Sequence, residues 1–261
     1  MPEIAEVRIT ADYINKLSEG KNFYTISKNP VHKGIDIAPY DTPFKISARS
    51  RGKELCLFLT ASGTTHSLRM TMGMSGHFKW VEEGTLEKHA HLNFNSVKGS
   101  LVFVDVRRFG KWKWGEFSKN RGPDPIDEYD KFIKNILSNL HSREFEKPVF
   151  EILMNQRYFN GIGNYLRAEI LYKADQNPFE PANTALIYNP KVLELCHTLS
   201  IQAYFLNGGS IKDWKNPFGN ESSDTWMKCY GNKEMVTKID RNGRRFWFDK
   251  KWLWGDKNLD G

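Results

Sequence analysis

The sequence predicts an α+β fold, with an antiparallel β-sandwich or barrel on the N-terminal side and a helical region that closes in a β-hairpin. Three observations predict it. Short apolar alternations broken by Gly and Ser run through 44–110, as in sandwiches and barrels. Helical periodicity takes over between 130 and 206. Asp240-Arg241-Asn242-Gly243-Arg244 then sets turn-forming residues between two alternating runs. The expected divisions are 1–120, 130–206 and 207–261, with Gly122, Pro123 and Pro125 marking a linker over 115–130.

Each element has its own signal. In 6–19, Val7, Ala11, Ile14 and Leu17 share one helical face and Gly20 is a natural stop. Such a helix would anchor the N-terminus against a core. Leu55, Leu57 and Leu59 alternate after Arg51-Gly52-Lys53, and Leu101, Phe103 and Asp105 alternate with Val102, Val104 and Val106. Phe109 is read as part of that second strand. Pro148 suits a first helical turn, and Val149, Ile152, Leu153 and Gln156 continue at helical spacing. Asn160-Gly161-Ile162-Gly163-Asn164 separates this run from another, with Leu166, Ile170 and Ala174 on one stripe. Residues 207–224 are polar and turn-rich, so a mobile loop is expected. In 235–248, Asn242-Gly243 predicts a two-residue type I′ hairpin turn, after which Phe246 and Phe248 alternate with Arg245 and Trp247.

Composition narrows the function classes. The chain has 261 residues, enough for one large domain or two modest ones, with 39% hydrophobic and 26% charged residues. No run approaches the ~20 apolar residues of a membrane span, and the N-terminus has no secretory apolar stretch. A net charge of +7 suits a polyanionic partner. Cys56, Cys196 and Cys229 lie far apart, and no His or Cys follows Cys229. Neither a zinc site nor a disulfide framework is expected, and the chain suits a reducing compartment.

The first three residues carry the sharpest chemistry. Removal of Met1 would leave Pro2 with a free secondary amine that can condense with a sugar aldehyde as an iminium. An α-amino group titrates near ~8, so its neutral form is accessible at physiological pH. Glu3 sets a carboxyl beside it for proton transfer. The plainer reading is that many chains begin Met-Pro.

Six segments then fall in one order: Met1-Pro2-Glu3 with Glu6, Arg51-Gly52-Lys53, Gly73-Met74-Ser75-Gly76, His89-Ala90-His91, Asp105 to Gly110 (DVRRFG), and Gly161-Ile162-Gly163-Asn164. Together they resemble the formamidopyrimidine-DNA glycosylase and endonuclease VIII family of base-excision repair enzymes. The run QRYFNGIGNYLRAEILY (156–172) and the hairpin around Cys229-Tyr230-Gly231 are similar to the animal endonuclease-VIII-like-one type. The likeness extends to about Phe248. Ile4 and Ala5 depart from the Gly-Pro that the family usually has there.

The resemblance implies a catalytic β-sandwich in 1–120, a helix-two-turn-helix DNA-binding domain in 130–206, and a lesion loop with an antiparallel finger in 207–261. Most members fold the finger around zinc. The animal subgroup has a zincless finger, in keeping with the cysteines here. The nucleotide must be flipped out for its base to be excised. Pro2 is then the nucleophile, Glu3 the general acid with Glu6 in support, and Lys53 a cation at the lesion phosphate. Arg244 matches the finger arginine that holds the phosphate flanking the flipped nucleotide and promotes the last elimination, with Arg241 and Arg245 as neighbours. Asn164 and His89 are phosphate contacts, and Met74, Arg107 and Phe109 fill the vacated stack.

Each assignment has a plainer rival. Lys53 reads also as a solvated strand-end lysine, Asn164 as an N-cap, Met74 and Phe109 as core, His89 and His91 as structural histidines, and the finger arginines as solvated.

The function implied is a bifunctional DNA glycosylase and AP lyase for oxidised bases, pyrimidine lesions favoured, acting by β- then δ-elimination. A same-fold enzyme for formamidopyrimidine or oxidised purine lesions is the close alternative. Double-stranded DNA with damaged bases or abasic sites is the partner. A monomer without cofactor, metal or membrane attachment is expected, in the DNA compartment of the cell (nucleus or nucleoid). Two other classes compete: a damaged-DNA-binding protein that has lost catalysis, and a general RNA or single-strand binder with a basic surface and 13% aromatic residues. Pro2, Glu3 and Lys53 argue against the first, and the wedge and helix-hairpin motifs against the second.

Overall fold

The structure is a computed structural model that describes residues 1–37, 40, 42–209 and 214–255. It forms two compact units, Met1–Ser118 with Ser210–Ser222, and Lys119–Gly209 with Ser223–Gly261.

The first unit begins with helix α1 (Ile4–Ser18), two residues earlier than the apolar periodicity indicates. A capping box explains the early start. The Glu3 carboxylate accepts the backbone N–H of Glu6, and Glu6 Oε2 accepts the N–H of Glu3 at 2.7 Å. Ile4 and Ala5 are the first two helical residues and are buried. Asn15 ties the helix to the adjoining sheet edge: its Nδ2 donates to Ala48 O at 3.0 Å, and its Oδ1 accepts from Ala48 N at 2.7 Å.

Strands β1 (Phe23–Lys28), β2 (Lys45–Arg51), β3 (Glu54–Ala61), β4 (Thr64–Thr71), β5 (His77–Glu82), β6 (Ala90–Ser96), β7 (Gly99–Val104) and β8 (Lys111–Trp114) build two antiparallel sheets, ordered β1-β6-β7-β5 and β2-β3-β4-β8. Val7, Ala11 and Ile14 of α1 join Phe23, Phe44, Leu55, Leu57, Leu59, Phe94 and Phe103 in one core. Full burial of each such aliphatic or phenyl side chain contributes roughly 1.5–3 kcal/mol. The later part of the expected loop also belongs to this unit: Phe218 meets Tyr13 of α1 edge-on at 5.2 Å. Residues 210–213 of that loop lie outside the described residues.

In the second unit, α2 (Tyr129–Leu137), α3 (Val149–Ile152), α4 (Asn164–Lys173), α5 (Ala182–Tyr188) and α6 (Lys191–Phe205) are followed by β9 (Val236–Ile239) and β10 (Arg245–Phe248), which pair antiparallel. Helix α4 packs on α6 and on β10. Helix α3 is a single turn and does not extend to Gln156 as its spacing suggests. The Gln156 side chain holds the next turns instead, donating to Ile162 O at 2.9 Å and accepting from Gly161 N at 3.0 Å. Gly161, at φ +99°, takes a conformation that favours glycine.

The hairpin turn differs from the type I′ expectation. Asp240 N–H donates to Arg244 O, so three residues, 241–243, form the loop, and in the Asn-Gly pair only Gly243 has positive φ (73°). Asp240 causes this. Its Oδ1 accepts the N–H groups of Asn242 and Arg244, both at 2.9 Å, which favours a turn one residue longer with a left-handed glycine.

Candidate active site and DNA interface

The N-terminal group is built by the α1 cap. Glu3 is 3% exposed, and its carboxylate is held at the helix start immediately after Pro2. Pro2 is buried with Met1 still attached, and Met1 is 42% exposed. While that peptide bond stands, the proline nitrogen is an amide and no nucleophile. Lys53, expected at a strand start, is instead the second residue of the two-residue turn between β2 and β3. Arg51 pairs with Glu54, and Gly52 at φ +57° fits the first position of a type II′ turn. Lys53 is half-buried there.

The loops that carry the expected phosphate contact His89 and the expected stack-filling residues meet at one buried residue, Asp105, whose carboxylate is fully shielded from solvent. Its Oδ1 accepts Ser75 Oγ–H at 2.5 Å and Arg107 N–H at 3.2 Å, and Oδ2 accepts Gly110 N–H at 2.7 Å. Its own N–H donates to His89 O at 3.1 Å, and its carbonyl accepts from His91 Nε2 at 2.8 Å. Met74, His89, Arg107 and Phe109 therefore sit on loops tied to the same residue.

Phe109 is not in a strand: β7 ends at Val104, and Phe109 lies in the following loop, 51% exposed. Its ring carries the Arg107 guanidinium at 5.1 Å, so core packing does not describe it. Met74 and His89 are half-buried. His89 has φ +67° and Arg108 φ +56°, conformations uncommon for residues with a side chain. His91 is the structural histidine of the pair, buried at 2% exposure. His32, which the sequence did not single out, stacks on Trp112 at 4.2 Å and lies 5.0 Å from His91. Burial, and then the neighbouring His91, lower the His32 pKa and disfavour its charged form.

In the second unit, Asn164 is the first residue of α4 and not its cap. Gly163 occupies the N-cap position. The Asn164 amide is used at both ends: Oδ1 accepts from Arg167 Nε at 3.1 Å and Nη2 at 2.7 Å, while Nδ2 donates to Arg245 O at 2.9 Å. This bond joins α4 to the strand next to Arg244. Arg241 pairs with Glu151 at 3.3 Å, which distinguishes it from Arg244.

The cysteines offer no rival nucleophile. All three are buried, and burial raises each thiol pKa, that of Cys56 to about 11. Among the described residues no group of three His, Cys, Asp or Glu side chains could hold a metal ion. No helix among them is long and apolar enough to cross a membrane.

Residues 1–112 match the family described as formamidopyrimidine-DNA glycosylase N-terminal domain, and residues 223–251 match endonuclease VIII-like 1, DNA bind. The chain is 36% identical to mouse (Mus musculus) Endonuclease 8-like 1, over 95% of this chain and 72% of that protein. It is 34% identical to the human protein of that name with the same coverage, and 28% identical to a Streptococcus pneumoniae formamidopyrimidine-DNA glycosylase over 94% of this chain and 96% of that one. The fold is similar to that of a Lactococcus lactis Fpg variant bound to Fapy-dG-containing DNA (TM-score 0.81, 22% identity, covering 95% and 98% of the two chains). It is also similar to that of Thermus thermophilus MutM (Fpg), with TM-score 0.80, 22% identity and coverage of 96% and 98%. The chain belongs to the formamidopyrimidine-DNA glycosylase and endonuclease VIII family, DNA glycosylases with AP lyase activity that act in base-excision repair.

Proposed function

We propose that this chain excises oxidised bases from duplex DNA and cleaves the strand through a Schiff base on Pro2, pyrimidine lesions being preferred. The observation that carries the reading is the buried Glu3 carboxylate, fixed by the α1 capping box beside Pro2. Once Met1 is removed, the proline lone pair bonds to the anomeric carbon. The glycosidic C–N bond breaks, its electron pair leaves with the base, and the base takes up a proton. Glu3 protonates the ring oxygen as the sugar opens, and the amine, having lost its own proton, becomes an iminium.

Loss of the C2′ proton then expels the 3′-phosphate, with Lys53 as the cation beside it. Loss of the C4′ proton turns that C–H pair into a C4′–C5′ double bond, and the C5′–O5′ pair leaves with the second phosphate, which Arg244 stabilises. Asn164 and His89 hold the backbone. Met74, Arg107 and Phe109 occupy the vacated stack, where unstacking costs a few kcal/mol.

The pyrimidine preference rests on the endonuclease-8-like relatives. Similarity to formamidopyrimidine-DNA glycosylases favours purine-derived lesions as the second reading. The division of labour we propose gives catalysis to 1–120, backbone binding to 130–206, and lesion reading and the finger to 207–261. Single-turnover excision on duplexes with an oxidised pyrimidine, an oxidised purine or a formamidopyrimidine, at one salt concentration, tests the preference. Borohydride trapping on an abasic duplex tests the chemistry: a covalent adduct, most of which Pro2→Gly removes, is expected, and wild-type protein without an adduct overturns the lyase reading.

A further inference from the structure

The finger of this chain is organised by charged side chains of α4. Glu169 is fully buried. Its Oε1 accepts the N–H groups of Cys229 (2.8 Å) and Tyr230 (2.7 Å), and its Oε2 accepts that of Lys228 (2.8 Å). This fixes the chain ahead of β9. Two residues earlier on the helix lies Arg167, also fully buried. Its Nη2 pairs with Asp240 Oδ2 at 3.0 Å, its Nη1 donates to Phe150 O at 3.2 Å, and its guanidinium lies 4.9 Å from the Phe246 ring centroid. The other Asp240 oxygen accepts the backbone N–H of Arg244 at 2.9 Å. A buried guanidinium thus holds a carboxylate that holds the amide of the arginine itself. Burial raises the Asp240 pKa, but the bonds from Arg244 and Asn242 and the Arg167 charge outweigh it, so the carboxyl ionises more readily than usual.

We infer that Arg167 and Asp240 are positioning residues for Arg244. The inference rests on the reading of Arg244 as the group that promotes the second elimination. Loss of a buried partner strands a charge and releases the turn. Arg244 then no longer meets the phosphate that leaves with the C5′–O5′ electron pair. Schiff-base formation at a preformed abasic site and the first elimination make and break no bond at Arg244 and continue.

The test uses the full chain on a duplex with one abasic site. Products of β-elimination and β,δ-elimination are separated by electrophoresis, and borohydride trapping is run in parallel. Asp240→Asn should lower the ratio of δ to β product about tenfold or more, toward that of Arg244→Ala, with trapping unchanged. A wild-type ratio in Asp240→Asn, with trapping intact, overturns this inference and leaves the Schiff-base reading standing. An absence of trapping in the wild type overturns both. A wild-type ratio in Arg244→Ala removes the role to be positioned and overturns the inference as well. If Asp240→Asn does not fold, the double variant Arg167→Leu with Asp240→Leu, which buries no charge, carries the test. A folded double variant with a low ratio and normal trapping supports positioning, and one with a normal ratio overturns it.

Discussion

Ser75 Oγ donates to Asp105 Oδ1 at 2.5 Å, and this bond joins two loops that are distant in sequence. One loop carries Met74 and the other Arg107 and Phe109. The antiparallel register of β5 and β7, with His77 opposite Val104, brings the two loops side by side. The shielded carboxylate ties them together, because it accepts several bonds at once and is costly to leave unsatisfied.

Asp105→Asn and Ser75→Ala should therefore slow base excision from duplex DNA. Each lost bond to the buried carboxylate site costs about 1–3 kcal/mol, and 1.4 kcal/mol corresponds to about tenfold. Cleavage of a single-stranded abasic oligonucleotide, which has no stack to fill, should change little. Single-turnover rates on both substrates check this. Equal loss on both would remove the link between Asp105 and the wedge.

Phe109→Ala tests the exposed ring directly. The side chain is half in solvent, so the melting temperature should shift by no more than a surface substitution does, within about 0.5 kcal/mol. Excision from duplex should fall clearly. Stability loss in proportion to activity loss would restore the core reading.

Gly73→Ala should damage the same loops from the backbone side. A Cβ on Gly73 would lie 2.7 Å from Gly110 N and from Phe109 C, and φ is +62°. Crowding and strain together should cost about 1–3 kcal/mol, read in a denaturant melt. Gly63→Ala is the control for left-handed backbone alone: φ is +79°, with nothing within 4 Å of the added carbon.

Stability should respond to acid through Asp240. Its pKa is lowered from 3.8, so the ion pair contributes fully above that value. The contribution is lost as pH falls from about 3.8 through the lower folded-state value. Asp240→Asn should be less stable near neutrality by about 3 kcal/mol and should lose less on acidification. Thermal melts from about pH 6 to about pH 3 compare the two slopes. Parallel curves would contradict the assignment.

The helix α1, the strand-rich first half and the helical second half were legible because each buries a periodic apolar face: Val7, Ala11 and Ile14 on α1, Leu55, Leu57 and Leu59 on β3, Leu166 and Ile170 on α4. The polar wiring was not. Asp105 looked like one more alternating strand position, yet it follows the end of β7 and turns Phe109 outward. Arginine is mostly an exposed residue type, and the burial of Arg167 becomes intelligible through partners such as Asp240, far later in the chain. Asp240 just before Arg241-Asn242-Gly243 was a usable signal for a longer turn, since aspartate side chains cap such loops. His32 carried no local signal at all, because its stacking on Trp112 is a long-range contact.

The most direct measurement is peptide mass spectrometry of the borohydride-trapped adduct. Deoxyribose mass is expected on a peptide that begins at Pro2, with Met1 absent. An adduct on Lys53 or any other lysine, or a trapped chain that still carries Met1, would contradict the Schiff base on Pro2.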